Sequence, residues 1–356
     1  MPANHVASIS RAQTPDPLTS LFFLATTVAI LLFIGLLCLV VLSVLRRMRR
    51  AREAREDRPK PTVYVDAWAE SGRRAAAAEA TGSRSAERDD KPLIETGIAA
   101  TGAAGDGRMR PVALVTGGAR RIGLAIANAL ARAGCDIVIT YRSSEAEAAA
   151  AIELFRSHGV TASAVPVDLA DLEGVQRFAS SLRDKLPRLD ILVHNAAVYE
   201  PSELDGDVAD AALRHWRINA LAPLVLTSTL KDHLAAAEIP GGGAVVAMLD
   251  IHALGQPRRD YVAYAMSKAA LAEMVRSLAR DLAPGVRVNG VAPGVVAWPE
   301  TGTDSDESAQ AKYLRRVPLG RAGTPDDAAE VVRWLALDAT YMTGEIIRLD
   351  GGRGLT

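Results

Sequence analysis

Cysteine is almost missing: Cys38 and Cys135 are the only two in 356 residues. One lies in an apolar run and the other in a predicted strand region, so neither a disulfide framework nor a metal site can be built from them, and the composition suits a reducing compartment. Surplus charge is missing too. Lys and Arg number 41 and Asp and Glu 42, for a formal net charge of −1. A nucleic-acid-binding face shows as a basic excess, so no nucleic-acid partner is expected. No internal repeat at solenoid spacing occurs. The length allows two domains, or one α/β unit of about 250 residues with an extension.

Charge is absent altogether from residues 21–45, an apolar stretch interrupted only by Thr26, Thr27, Gly35 and Ser43. As a helix it would be about 37 Å long, enough to cross a hydrocarbon core of roughly 30 Å with some tilt. A signal-peptide core is shorter and is followed by small residues at a cleavage site, and a buried core helix carries a polar stripe; this run has neither feature. One transmembrane helix is therefore expected at 21–45, behind an extramembrane segment at 1–20. Before it stands one arginine, Arg11. After it come Arg46, Arg47, Arg49, Arg50, Arg52, Arg55, Arg58 and Lys60. The positive-inside rule puts that side, and everything downstream, in the cytoplasm. Residues 46–109 are rich in Arg, Ala, Glu, Gly and Asp and read as a flexible linker. Within it, 61–68 (PTVYVDAW) is a small apolar island, either a docking motif or a chance cluster.

From residue 110 the pattern changes. Apolar runs at 112–115, 136–140, 162–167, 191–193, 243–248 and 286–291 alternate with helical stretches, which predicts a Rossmann-type α/β domain, a doubly wound parallel sheet covered on both faces, over 110–356. The first run leads into Thr116-Gly-Gly-Ala-Arg-Arg-Ile-Gly123 and then an amphipathic helix. Glycines allow a tight bend and close backbone approach, and the helix start offers free N–H groups to a pyrophosphate. Farther on, Tyr264-Ala-Met-Ser-Lys268 places a phenol and an ammonium on one helix face. A nearby cation is expected to lower the tyrosine pKa toward working pH and make it a usable proton donor. Asn195-Ala-Ala197 at a strand end, Asn219 in a helical stretch and Pro293-Gly294 after a later strand complete the ordered set.

These motifs, in this order, resemble the short-chain dehydrogenase/reductases from residue 110 through the terminal Leu349-Asp-Gly-Gly352, and within them the pteridine and dihydromonapterin reductases. Four details carry the narrower resemblance. Arg121 stands where the usual cradle has glycine, and a guanidinium there can hold phosphate or the substrate ring. No serine or threonine occurs between Ala244 and Ala263, whereas ketone-reducing members place a hydroxyl about thirteen residues before the tyrosine; Asp250, fourteen before it, takes that role, so the loop 251–260 must absorb one extra residue. Tyr199 lies where an aromatic stacks on the pterin. Finally, 312–319 (KYLRRVPL) matches the end of the substrate-covering segment, and the acidic, serine-rich 298–310 before it reads as a lid. No acid follows the second strand, where NAD-selective folds bind ribose; Arg142 and Ser143 would instead hold a 2′-phosphate, which selects NADPH.

The resemblance thus implies hydride transfer from NADPH to a C=N bond of a reduced pterin or folate-like small molecule. Tyr264 would donate the proton with Asp250, Lys268 would bind the nicotinamide ribose, Asn219 would hold a relay water, and Arg121 and Tyr199 would clamp substrate. Gly117, Arg121, Ile122, Gly123, Tyr141, Arg142, Ser143, Asp168, Leu169, Asn195, Ala196, Lys268, Pro293 and Gly294 would form the cofactor site, and a homotetramer would be the assembly. The alternatives are a 3-oxoacyl or other ketone reductase and a membrane-tethered NADPH-binding scaffold without turnover.

Overall fold

Period-two alternation sends neighbouring strand residues to opposite faces of a sheet. In the computed structural model, which describes residues 109–204, 206–298 and 306–356, β1 (Val112–Val115) directs Ala113 and Val115 into one apolar core and Val112 and Leu114 into another. Both faces being buried, its run is apolar throughout rather than alternating. In chain order the elements that follow are α1 (Arg121–Arg132), β2 (Asp136–Tyr141), α2 (Glu145–Arg156), β3 (Ala162–Pro166), α3 (Leu172–Lys185), β4 (Ile191–His194) and α4 (Val208–Trp216). Then come α5 (Ala222–Ala235), β5 (Gly243–Met248), α6 (Val262–Asp281), β6 (Val286–Pro293), α7 (Glu307–Leu314), α8 (Pro325–Leu337) and β7 (Ile346–Leu349).

The sheet is seven-stranded, parallel at every pairing, with order β3-β2-β1-β4-β5-β6-β7. Ile126 and Leu130 of α1, Phe155 of α2 and Val332 of α8 fill the core on one face. Val175 of α3, Leu226 of α5 and Leu271 of α6 fill the other. The strand order reverses between β1 and β4, and a parallel sheet opens a crevice at the carboxyl ends of its strands at such a point.

Two buried arginines fasten this frame. Arg188 donates from Nη2 to the carbonyls of Met109 (3.2 Å) and Arg110 (3.4 Å) and from Nε to Asp190 (3.1 Å), while Asp190 accepts from the Val112 amide at 2.8 Å. The chain is thus tied down where it enters β1. Arg287 of β6 donates to the Leu335 (2.7 Å), Ala336 (2.7 Å), Ala339 (3.0 Å) and Gly241 (3.3 Å) carbonyls, closing the carboxyl end of α8.

The seventh strand is not among the predicted runs. Ile346-Ile-Arg-Leu349 is four residues long and lies, only partly buried, at the sheet edge, so it lacks the continuous apolar character of the central strands. Cys135 falls one residue ahead of β2, buried, its thiol pushed up to about 12 by burial. Among the described residues no helix is long and apolar enough to cross a membrane. The expected transmembrane run at 21–45, the linker with its 61–68 island, and 299–305 of the predicted lid lie outside the described residues.

Candidate active site

The turn after β1 is built around backbone contacts that exclude side chains. Gly117 adopts φ +65°, and a Cβ on Gly123 would collide with the Gly117 carbonyl oxygen. The Gly118 amide donates to the Thr140 carbonyl at 3.1 Å. Asn195, just after β4, donates from Nδ2 to the carbonyls of Thr116 (2.9 Å) and Gly117 (3.2 Å), and Thr116 Oγ1 accepts from the Asn195 (3.0 Å) and Ala196 (3.1 Å) amides. This brace holds the start of α1 open toward the crevice. Such a cradle fits a dinucleotide pyrophosphate, whose oxygens take the helix-start N–H groups.

A continuous cleft of about 650 Å³ runs across the strand ends. Gly117, Arg121, Ile122, Gly123, Tyr141, Arg142, Ser143, Asp168, Leu169, Asn195, Ala196, Pro293 and Gly294 all line it, as do Tyr199, Asp250, Tyr264 and Lys268. At its inner end the Tyr264 hydroxyl donates to Asp250 Oδ2 at 2.8 Å. Asp250 Oδ1 accepts from the His252 amide at 2.8 Å, which starts a short 3₁₀ turn, Ile251–Leu254, ending on Gly255 at φ +94°. Asp260, farther along the same loop, is also left-handed at φ +61°, and Asp250 stands two residues after β5.

One expectation is corrected, that of the Tyr264 hydroxyl, and two further site residues, Asn219 and Arg121, also bond to protein partners. The Tyr264 hydroxyl is not eased toward neutrality by Lys268. Burial and the adjoining Asp250 carboxylate push it well above its ordinary value, and the opposing cation is Arg258. Lys268 Nζ lies 5.9 Å from the Tyr264 ring centre and donates to the Met248 carbonyl at 2.7 Å; burial lowers it to about 8. Asn219 sits in a π-turn, Arg217–Leu221, with its side chain spent on protein partners. Its Nδ2 donates to the Val198 carbonyl (3.0 Å) and Ser267 Oγ (2.9 Å), and its Oδ1 accepts from the Val198 amide (2.9 Å). Together these bonds brace the 198 segment against α6. Arg121 takes φ +54°, the left-handed region that explains why glycine is usual there, and its Nη2 donates to the carbonyls of Trp298 (2.8 Å) and Ala297 (3.4 Å). Its guanidinium holds the stem of the segment after β6.

Tyr199 is in the cleft, but one of its faces is already stacked on Tyr261, centroids 4.7 Å apart at 25°, and it stands edge-on to Tyr264 at 4.8 Å. Sequence reasoning missed Tyr261, Arg258 and Tyr313. Tyr261 lies three residues before Tyr264, a spacing that could have signalled proximity. Arg258 lies in a loop whose path no periodicity reveals. Tyr313 Oη accepts from the Val295 amide at 3.3 Å and its ring meets Trp298 edge-on at 5.6 Å. Among the described residues no cluster of His, Cys, Asp or Glu could hold a metal ion.

This arrangement has known counterparts. The family model described as enoyl-(acyl carrier protein) reductase matches residues 117–353. A 3-oxoacyl-[acyl-carrier-protein] reductase of Aquifex aeolicus is 34% identical over 251 residues, 68% of this chain and 96% of that protein. A dihydromonapterin reductase of an Enterobacter species is 30% identical over 251 residues, 70% of this chain and 99% of that protein. A short-chain dehydrogenase from Burkholderia cenocepacia, solved with NADP, superposes with a TM-score of 0.63 at 33% identity, covering 68% of this chain and 97% of that one. With a glycine cradle, a Tyr264–Lys268 pair on α6 and this sheet order, the chain belongs to the short-chain dehydrogenase/reductase family and is a nicotinamide-dependent oxidoreductase.

Proposed function

We propose that the domain reduces a C=N bond of a pterin or folate-like ring, with NADPH as hydride donor. The observation that carries this reading is the 2.8 Å hydrogen bond from the Tyr264 hydroxyl to Asp250. The resemblance places a carboxylate at this position in pterin-reducing relatives and a hydroxyl in ketone-reducing ones. Tyr264 is kept protonated by burial and by Asp250; when Asp250 takes a proton from solvent it would donate to the Tyr264 oxygen in turn, so that Tyr264 gives its own proton to a ring nitrogen and is reprotonated by Asp250. Lys268, anchored on the Met248 carbonyl, has two further ammonium protons with which to hold the nicotinamide ribose. The bound cofactor supplies the hydride; the chain supplies orientation and charge. Turnover by the full chain with NADPH, comparing a dihydropterin, dihydrofolate and a 3-oxoacyl thioester, tests it. Reduction of the thioester alone gives the site to the second reading, a 3-oxoacyl reductase, which relatives of that name favour.

NADPH rather than NADH is proposed from Arg142 and Ser143, both exposed at the cleft end beyond β2. Arg142→Asp should raise the KM for NADPH roughly 10- to 100-fold, the scale of one charge-assisted contact, while that for NADH changes little. An unchanged ratio of the two constants removes the assignment.

The membrane anchor at 21–45, the cytoplasmic placing of the reductase and a homotetramer are likewise proposals. They are supported by the uncharged run with its arginine-rich flank, and by exposed Leu213, Trp216 and Leu224 on α4 and α5 with Val262 and Met266 on α6, an apolar face that suits a second copy. Fractionation should leave the full chain in membranes, and detergent-extracted protein should have the mass of four copies. Recovery in the soluble fraction overturns the anchor, and a monomer mass overturns the assembly.

A further inference from the structure

We propose that the Tyr313 hydroxyl is a second donor of the active site, giving a hydrogen bond to a substrate carbonyl other than the bond that is reduced. This narrows the substrate to a class, molecules with a carbonyl near the reducible C=N or C=O. A pterin ring carbonyl and the thioester carbonyl of a 3-oxoacyl chain both qualify, so the assignment stands apart from the choice between those two readings.

Tyr313 is on α7 and lines the cleft together with Gly294, Val295 and Asp250. Its place follows from the turn after β6. A Cβ on Gly294 would stand 3.0 Å from the Tyr313 hydroxyl, so glycine leaves the space in which the phenol meets the backbone. The next amide, that of Val295, donates to Tyr313 Oη at 3.3 Å. Oη is the acceptor in that bond, and among the described residues none takes its own proton. β5 and β6 are neighbours in the sheet. Two phenols therefore border adjacent parts of the cleft, Tyr264 beside Asp250 just after β5 and Tyr313 at the end of β6.

The phenol is kept as a donor and its ring is fixed before anything binds. Burial holds the hydroxyl above its ordinary value; Asp250 and Asp350 add to this, against the Val295 amide and Arg353. It therefore carries its proton at neutral pH. Trp298 meets the ring edge-on at 5.6 Å, and the Cζ of buried Arg353 lies 5.5 Å from the ring centre. Arg353 Nη1 donates in turn to Gln256 Oε1 (3.4 Å) and to the Thr356 main-chain oxygen (3.1 Å). A donor on a fixed ring loses little freedom on binding. A substrate without an acceptor for it leaves the O–H desolvated and unpaired, so selection works by a penalty on the wrong molecule as well as a bond to the right one.

The test is Tyr313→Phe in the full chain, which removes the hydroxyl and keeps the ring. Two pairs of substrates are compared, one member of each carrying the second carbonyl and the other lacking it. The pairs are 7,8-dihydropterin against 2,4-diamino-7,8-dihydropteridine, and acetoacetyl-N-acetylcysteamine against 2-heptanone. The quantity read, in the pair that the parent reduces, is the ratio of kcat/KM with the carbonyl to kcat/KM without it. It should fall roughly 3- to 10-fold in the variant, the scale of one neutral hydrogen bond, while the Kd for NADPH stays constant. A melting curve like the parent's reports a folded variant; should it fail, Tyr313→Met, of similar reach and without a donor, is read by the same ratio. An unchanged ratio overturns the proposal and leaves the hydroxyl as an acceptor for Val295 alone. A weakened Kd for NADPH with the ratio intact overturns it too, by giving the donor to the nucleotide. Reduction of the thioester and of neither pteridine ends the ring-reduction reading, and the thioester ratio then decides for Tyr313. A parent that reduces neither carbonyl-bearing compound overturns the proposal itself.

Discussion

Asp250→Asn is expected to lower the turnover number on a dihydropterin by about 10²–10⁴-fold, or ~3–5 kcal/mol of barrier, the usual share of a general acid–base group. The carboxylate uses both oxygens, Oδ2 for the Tyr264 hydroxyl and Oδ1 for the His252 amide. Asparagine has one oxygen. If it keeps the 3₁₀ turn started, its NH₂ faces Tyr264 and the hydrogen bond that aims the phenol is reversed. The fold is retained while the proton's direction and the titratable group are lost, so NADPH affinity should stay nearly constant. Asp250→Ser is the sharper comparison, because it installs the hydroxyl of ketone-reducing relatives. A serine variant that matches the parent on pterins would show that Asp250 serves only the turn. Good ketone reduction by the parent, with none of pterins, would favour the thioester reading.

The largest expected loss of stability is at Arg287→Met. This side chain is 5% exposed and donates to four carbonyls, three of them at the end of α8. Methionine preserves bulk but no donor, and the carbonyls become buried acceptors facing an apolar chain. Each unsatisfied buried group costs ~1–3 kcal/mol, and water entering at the helix end relieves part of this, so the net loss should be ~3–5 kcal/mol. For a domain of this size that corresponds to a fall in Tm of roughly 10 °C. Arg287→Lys, one charge without the fork, should recover a fraction. A Tm within 2 °C of the parent (the effect of a change of about 0.5–1 kcal/mol) would mean that α8 closes without this donor.

The fold was legible in the sequence wherever both faces of a strand are buried. The runs at β1, β4 and β5 are apolar without interruption because helices cover the sheet on both sides, and that is a local signal. β7 gives no such signal, since an edge strand needs only one good face. The cradle was legible because glycine at 117 and 123 answers to a backbone constraint. Asp250 was legible by resemblance, but its register depended on a turn whose Gly255 and Asp260 conformations no spacing rule predicts. Most obscure was electrostatic sign. The spacing of Tyr264 and Lys268 places them on one helix face, yet a pKa depends on what else is nearby, and here burial and a carboxylate fourteen residues upstream push the hydroxyl up. Asn219 shows the same limit. Its residue type suits a water ligand, but which of its atoms are already committed is a fact of three dimensions.

The tie of Arg188 and Asp190 at the amino end of β1 has a practical consequence. The cleft runs across the carboxyl ends of the strands, whereas residues 109–112 enter at the amino end of β1, the far pole of the sheet. A load applied at residues 109–112 enters the domain away from the carboxyl-end cleft. Arg188 then acts as a strain relief, passing the load into the bases of β1 and β4 instead of the cradle. Grafting the domain onto a solid support at residue 109 should therefore be the orientation that leaves the working mouth facing the solution.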